Sequence, residues 1–350
     1  MEVNDNIPAQ GTAGIDGCQK CGIPSYEEGY KIRLCAPCRR ELSRYPIKKE
    51  VLWAALGVGL LVLFSLAKFP KSFTAGLNYE RALKLEEQHK YVSAEAALRQ
   101  TLKDYPEYMQ GACHYMIAAY YNNHLEAVDS ALKHWGGTSV EGEDDNKLVA
   151  QVNGVLDGIK HYHFEDTAFT SQYARLLNDA LARRAALEKY LQEHPKDNLA
   201  SYLLADIYFD AQQYTATDSL CESILADAPE FQMPYSLLAA ACREQKQYER
   251  ATAVCNRLLK LNAESVYAHI ALVKILLKQK QDKQALEKAQ YSYRLAPDNA
   301  STMQMLALAY HFNKQNKERD ALLARLKQSA DTSGLAYMQG VIAGTITYRD

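Results

Sequence analysis

Four cysteines near the start of the chain have the residue type and the spacing of a metal site. Cys18, Cys21, Cys35 and Cys38 form two C-x2-C pairs that thirteen residues separate. Two residues between thiolates let one tight turn aim both sulfurs at a single ion, and two such turns complete a tetrahedron. The spacing predicts a structural zinc site, although four thiolates suit iron as well. Disulfides or unligated thiols fit this spacing less well, and a site with four protein ligands leaves no open position for catalysis.

Short elements around the cysteines would hold them in place. Gly22 follows the first pair, where a tight turn favours positive φ. Residues 31–34 alternate like a strand, and residues 39–44 fit one or two helical turns before Pro46. A turn, a hairpin and a helix in this order resemble a zinc-ribbon or treble-clef module, which we assign to residues 18–45. Residues 1–17 have almost no bulky apolar groups and are predicted to be a disordered tail.

An apolar run follows the cysteine module. Val51 to Ala67 gives seventeen residues without a charge, or about 26 Å of helix. It predicts a transmembrane helix over 50–69, in preference to a buried helix or the apolar core of a signal peptide. Seven positive charges precede the run within twenty residues and four follow it, which favours a cytoplasmic N-terminus. Zinc-binding thiolates also persist in a reducing compartment.

We therefore expect a single-pass membrane protein with its C-terminal part outside the cytoplasm. This plan resembles that of a bacterial inner-membrane protein whose larger part faces the periplasm. The overall composition adds little to this prediction. With 40 basic and 42 acidic residues, the chain has no net field that would recruit nucleic acid.

The rest of the chain shows a 34-residue period. Pro195, Pro229, Ala263 and Pro297 fall 34 residues apart. Counted from three residues after each mark, the seventh position is leucine in all four units. The eighth position is Ala205, Ala239, Val273 and Ala307. Glycine and proline are scarce, which favours helices, and equal spacing with equal phase is what stacked helix pairs require.

This pattern resembles the tetratricopeptide repeat (TPR) family, most clearly in AAACREQKQYERATAVCNRLLKL and its flanks. The resemblance implies an all-α solenoid of helix pairs in a right-handed superhelix, over residues 72–350. The best-matching units are 198–231, 232–265, 266–299 and 300–333, with a weaker unit at 75–108, an irregular stretch at 109–197 and a capping helix at 334–350. The family's opening tryptophan is absent from every unit.

TPR solenoids bind peptide segments on the concave face that their first helices form. Carried over by position, the resemblance implies a groove lined by Tyr202, Asp206, Phe209, Met233, Arg243, Tyr267, Lys274 and Lys278. Aromatic and arginine side chains dominate measured binding hot spots. The expected ligand is a peptide with apolar and acidic groups, and its acidic part would lie towards the end formed by Arg243 and Lys278.

The function predicted on this basis is a non-catalytic scaffold for a protein or peptide partner. No Walker sequence, nucleophile elbow or zinc-protease helix motif is present. Two alternatives remain: a cytosol-facing receptor for chaperones or imported proteins, and an accessory subunit of a membrane enzyme complex. Leu203 and Leu237 stand where the receptor's clamp would need Asn or Arg, which argues against the first alternative.

Overall fold

The computed structural model describes residues 17–43, 49–137, 145–328 and 334–349, and at residues 49, 66–70 and 145 it describes the backbone only. The predicted disordered tail therefore lies outside the described residues except for Gly17. The chain divides into two compact units, residues 1–70 and 71–350. Across the described ranges the regular elements are all helical, seventeen α-helices and a 3₁₀ turn.

The first unit holds α1 (Ala36–Ser43) and the start of the long helix α2 (Lys49–Glu87). No helix in the described part of the chain is long and apolar enough to cross a membrane. This finding contradicts the predicted single-pass membrane protein with a cytoplasmic N-terminus.

The second unit is an array of antiparallel helix pairs, which confirms the prediction of an all-α helical repeat solenoid. The end of α2 pairs with α3. The remaining helices are α3 (Tyr91–Asp104), α4 (Met109–Tyr121), α5 (Leu125–Trp135), α6 (Asp145–Ile159), α7 (Thr167–Ala174), α8 (Ala180–Glu193), α9 (Asn198–Asp210), α10 (Tyr214–Asp227), α11 (Met233–Glu244), α12 (Tyr248–Leu261), α13 (Val266–Lys278), α14 (Asp282–Leu295), α15 (Ala300–Phe312), α16 (Asn316–Lys327) and α17 (Leu335–Ala343).

Helix caps and turns recur along the chain with the 34-residue period of the repeats. The side chains of Asp197, Ser265 and Asn299 accept hydrogen bonds from the first turns of α9, α13 and α15, which satisfies amides that a helix start leaves unpaired. Six turns between paired helices each contain a non-glycine residue with positive φ: His89, Asn123, Gln212, Lys246, Lys280 and Lys314. The first two are 34 residues apart, and so are successive members of the last four.

This phase places α4 and α5 in the same period as their neighbours, although the sequence predicted an irregular stretch from 109. The irregular part begins at α6, which packs on α4. A 3₁₀ turn at Lys160–Tyr162 and the short helix α7 follow. Small residues at the eighth position of later units, Ala205, Ala239 and Val273, are fully buried between paired helices.

The first two helix pairs also contact turns that lie far along the chain. Glu264 accepts hydrogen bonds from the backbone N–H and the hydroxyl of Ser93, both at 2.7 Å. Asn262 donates to the Tyr121 carbonyl at 2.8 Å and to the Asn122 side chain at 2.9 Å. Phe231, which is fully buried, belongs to the same apolar core as Tyr120. Hydrogen bonds therefore connect parts of the array that are 140 to 171 residues apart in sequence.

Candidate metal centre and partner-binding surface

The structure gathers the four predicted cysteines into one cluster. The sulfurs of Cys18, Cys21, Cys35 and Cys38 all lie within 4.8 Å of one another. The Sγ atoms of Cys21 and Cys35 are 3.6 Å apart, and all four cysteines are free thiols. Four sulfurs at these separations can surround a single metal ion.

Local backbone structure brings the thiols together. Gly22 has φ of 74°, as predicted for the turn after the first pair, and its N–H donates to the Cys18 carbonyl at 2.9 Å. The backbone N–H of Gln19 donates to the Arg33 carbonyl at 2.9 Å, which ties the first turn to the segment before the second pair. That segment is not a regular strand in the structure, contrary to expectation. Cys38 lies in the first turn of α1.

Backbone amides favour a thiolate at this cluster. The N–H of Cys35 is the main cause that lowers the pKa of the Cys18 thiol to about 6. A hydrogen bond with Cys35 raises the pKa of Cys38 to about 12, because the Cys38 thiol keeps its proton to donate to a neighbouring sulfur. A divalent cation among the sulfurs would favour the thiolate form of all four.

Few other contacts stabilise this module. Arg39 of α1 pairs with Glu27 at 2.6 Å and lies 3.6 Å from the centre of the Tyr30 ring. The buried apolar cluster consists of Leu34 and three of the cysteines. A core of this size supplies little hydrophobic stabilisation, so the cluster fits the chemistry of a metal-held fold.

The eight predicted partner-binding residues all lie on first helices of the array, but their surroundings differ. Tyr202 and Met233 pack against the apolar core that contains Tyr120, Tyr162 and Phe231. The Tyr202 and Phe231 rings are 6.0 Å apart. These two side chains are therefore partly covered by other parts of the chain.

Asp206 and Phe209 lie one to two turns further along α9. The ring of Phe209 is tilted by 58° against that of Tyr214, with ring centres 5.4 Å apart. Burial raises the pKa of Asp206, and the neighbouring carboxylate of Asp210 raises it further, while Arg183 opposes both effects. This part of the surface is partly buried and acidic.

A basic group of side chains lies on α11 and α13. Arg243 donates two hydrogen bonds to Glu244, at 2.9 and 2.7 Å, and its side chain is 12% exposed. Lys274 has neither an ion pair nor a side-chain hydrogen bond among the described residues. Burial lowers the pKa of Lys274 to about 8, with a further contribution from Arg243. One carboxylate, that of Glu244, thus faces two cations.

Tyr267 and Lys278 complete the predicted set. Tyr267 is 49% exposed at the start of α13. The ammonium of Lys278 lies 5.5 Å from the centre of the Tyr348 ring. Tyr348 belongs to the segment after α17, whose place beside the first helices the sequence did not predict. Gly340 inside α17 and Gly344 directly after it were the available signal for a chain reversal.

An apolar pocket of about 440 Å³ lies between α4, α5 and α6, lined by Met109, Met116, Leu132, Trp135 and Leu156 among others. Asn153, the Cys113 thiol and the indole N–H of Trp135 are the polar groups among the described lining side chains. The pocket therefore offers no acid–base pair or metal ligand set.

Comparison with known proteins identifies no family directly. No protein-family model matches the chain, and no curated protein matches it. Solved structures with similar helices are described as TPR proteins. One from Thermus thermophilus is 20% identical, covers 49% of this chain and 96% of its own, and has a TM-score of 0.42.

Two further solved structures with similar helices are also described as TPR proteins. A TPR protein from Parabacteroides merdae is 13% identical over 78% of this chain and 86% of its own, with a TM-score of 0.43. YrrB, a TPR protein with an unusual peptide-binding site, is 16% identical over 50% of this chain and 89% of its own, with a TM-score of 0.35. The assignment of a TPR-like fold is therefore based on the helix pairs of this chain.

Proposed function

We propose that this protein is a non-catalytic scaffold that binds a peptide segment of a protein partner along the first helices of residues 198–333. The observation that carries this proposal is the imbalance of charge on α11 and α13. Glu244 pairs with Arg243, Lys274 has no ion pair among the described residues, and Lys278 follows one turn after Lys274. A partly buried ammonium without an ion pair is stabilised when a carboxylate reaches it.

Apolar anchors lie on the same series of helices. Tyr267 is 49% exposed, and Phe209 is partly buried beside Tyr214. Large aromatic side chains contribute disproportionately to binding when a partner desolvates them. The preferred ligand is therefore a peptide with an acidic residue for Lys274 and apolar residues for the neighbouring positions.

A peptide selection with the full chain tests this proposal. Random peptides displayed on phage are selected on the wild-type protein, on Lys274→Met and on the matched variant Lys260→Met, whose lysine is exposed on the second helix α12. We expect wild type and Lys260→Met to enrich the same sequences, rich in Asp and Glu. A hydrogen bond to a charged group is worth about 1.5–3 kcal/mol, so Lys274→Met should bind those peptides roughly tenfold more weakly or worse. Equal binding by all three proteins would refute the assignment.

We also propose that the cysteine cluster holds a structural zinc ion. The donor set is four sulfurs within 4.8 Å of one another, and closed thiolate sites supply the folding free energy of small modules. Elemental analysis of the purified full chain should find one zinc per chain. A stoichiometric iron content with the visible absorption of an iron–thiolate site would assign iron instead.

A further inference from the structure

The chain reverses direction after α17, and two glycines make the reversal. Gly344 ends α17 with φ of 74°, where L side chains are strained. The backbone N–H groups of Thr345 and Ile346 both donate to the Gly340 carbonyl, at 2.9 and 3.0 Å. A Cβ at Gly340 would lie 2.5 Å from Cδ1 of Ile346. The sequence thus directs residues 344–349 back onto the array.

This segment places two side chains on the first helices and their turns. Tyr348 is 8% exposed, and its ring centre is 5.7 Å from that of Phe312. Arg349 pairs with Asp282 through two hydrogen bonds, and Nη1 is 3.2 Å from Oδ2. The guanidinium carbon of Arg349 lies 3.6 Å from the centre of the Phe312 ring.

The receiving surface consists of three residues on three helices. Lys278 ends α13, Asp282 begins α14 and Phe312 ends α15. Each offers a distinct interaction: an ammonium beside an aromatic ring, a carboxylate for a bidentate guanidinium, and a ring for cation–π stacking. The Arg349 side chain is 15% exposed and that of Asp282 is 28% exposed. This combination is specific for an aromatic residue followed by arginine.

We propose that Lys278, Asp282 and Phe312 form a docking site for an aromatic–arginine pair, which residues 344–349 fill within the same chain. The inference deepens the proposed function, on which it rests, because Lys278 belongs to the predicted peptide groove. A partner segment that carries such a pair has to displace Tyr348 and Arg349 first. A tethered occupant acts at an effective concentration near the millimolar range, so it competes strongly with a free peptide.

The test supplies the segment as a separate molecule. The fluorescently labelled peptide GTITYRD copies residues 344–350 and is titrated into two full-length proteins, wild type and the double variant Tyr348→Ala/Arg349→Ala. We expect the double variant to bind the peptide at least about tenfold more tightly than wild type, since its own segment no longer competes. Replacing tyrosine or arginine in the peptide by alanine should remove this binding.

Two additional variants locate the binding. In the double-variant background, Asp282→Asn should abolish peptide binding, whereas Asp320→Asn should leave it unchanged, because Asp320 pairs with Arg319 on the exposed face of α16. Circular dichroism and thermal unfolding establish that each protein is folded. A folded double variant that does not bind the peptide, or binding that survives Asp282→Asn, would overturn the inference. The peptide selection tests Lys274, whereas this titration tests Asp282. The proposed function and the docking site can therefore fail independently.

Discussion

The cysteine module and the helical array are held together by different means. In residues 17–43 the buried cluster consists of Leu34 and three cysteines, and the main features are four thiols around one centre. The array buries several large apolar clusters, with fully buried side chains such as Phe231, Leu238 and Leu308. The first region therefore has almost no apolar core of its own, whereas the second buries a large one.

This difference separates two kinds of stability in one chain. Metal binding to a closed thiolate site is linked to folding, because the unfolded segment holds no preformed site. The array draws its stability from buried apolar surface and from satisfied polar groups between units. Conditions that affect one source should leave the other almost untouched.

Metal removal gives the largest expected effect. Treatment with a strong chelator, or Cys35→Ser, should unfold residues 17–43, because three thiolates and a small apolar cluster cannot compensate for the lost metal. Hydrogen exchange resolved by peptide should show loss of protection in this module and unchanged protection in α9–α16. Full protection of the module after complete metal removal would show that its fold does not need the ion.

Asn262→Ala tests the link between the first helix pairs and the later turns. Asn262 is 1% exposed and donates to Tyr121 and Asn122. Because its loss leaves buried acceptors unpaired, we expect the free energy of unfolding of the array to fall by about 1–3 kcal/mol. Asn256→Ala, on the exposed face of α12, is the matched control and should change it by less than about 0.5 kcal/mol. Chemical denaturation of both variants measures the difference. Equal values would show that the hydrogen bonds of Asn262 do not stabilise the array.

A smaller effect is a pH dependence confined to the array. Nδ1 of His124 donates to a carboxylate oxygen of Glu95 at 2.8 Å, and Asn122 donates to the same carboxylate at 2.7 Å. The hydrogen bond with Glu95 raises the pKa of His124 above its ordinary 6.5. Hydrogen bonds from His124 and Asn122, together with Arg99, lower the pKa of Glu95 below 4.5 despite its burial.

The directions of these two pKa shifts define the pH range in which the His124–Glu95 pair stabilises the fold. A raised histidine pKa stabilises the fold fully below about pH 6.5, and this contribution is lost as the pH rises through the folded pKa. A lowered carboxyl pKa stabilises the fold above about pH 4.5, and this contribution is lost on acidification through the folded pKa. Thermal unfolding of His124→Gln should therefore differ most from wild type between these values and converge with it in alkali. A constant difference up to pH 9 would exclude this charge pair.

The sequence predicted the helical repeats and the clustering of the four cysteines because each is a local signal with a fixed spacing. The 34-residue phase of Ala205 and Ala239 follows from helix pairs that approach closely, and C-x2-C follows from one turn around one ion. The repeat match weakens at the pair α4–α5 because Met116 stands at the eighth position, where a small residue is the family signal.

Non-local contacts could not be predicted in this way. The covering of Tyr202 by the core around Phe231 depends on helices that are distant in sequence. The placement of Tyr348 beside Lys278 depends on a reversal whose end point no local spacing encodes. The membrane prediction, which rested on the length of the apolar run, its flanking charges and the compartment that thiolates favour, was wrong.

The hydrogen bonds between Ser93 and Glu264 have a consequence for how the chain folds. An array in which each repeat contacts only its neighbours can begin folding at any unit and extend from there. Here the first pair becomes fully ordered only after a turn 171 residues later has formed. Contacts of such high sequence separation slow folding, because a long loop must close before they form. During synthesis, the emerging first pair would therefore wait for residues near 264 to leave the ribosome before its packing is complete.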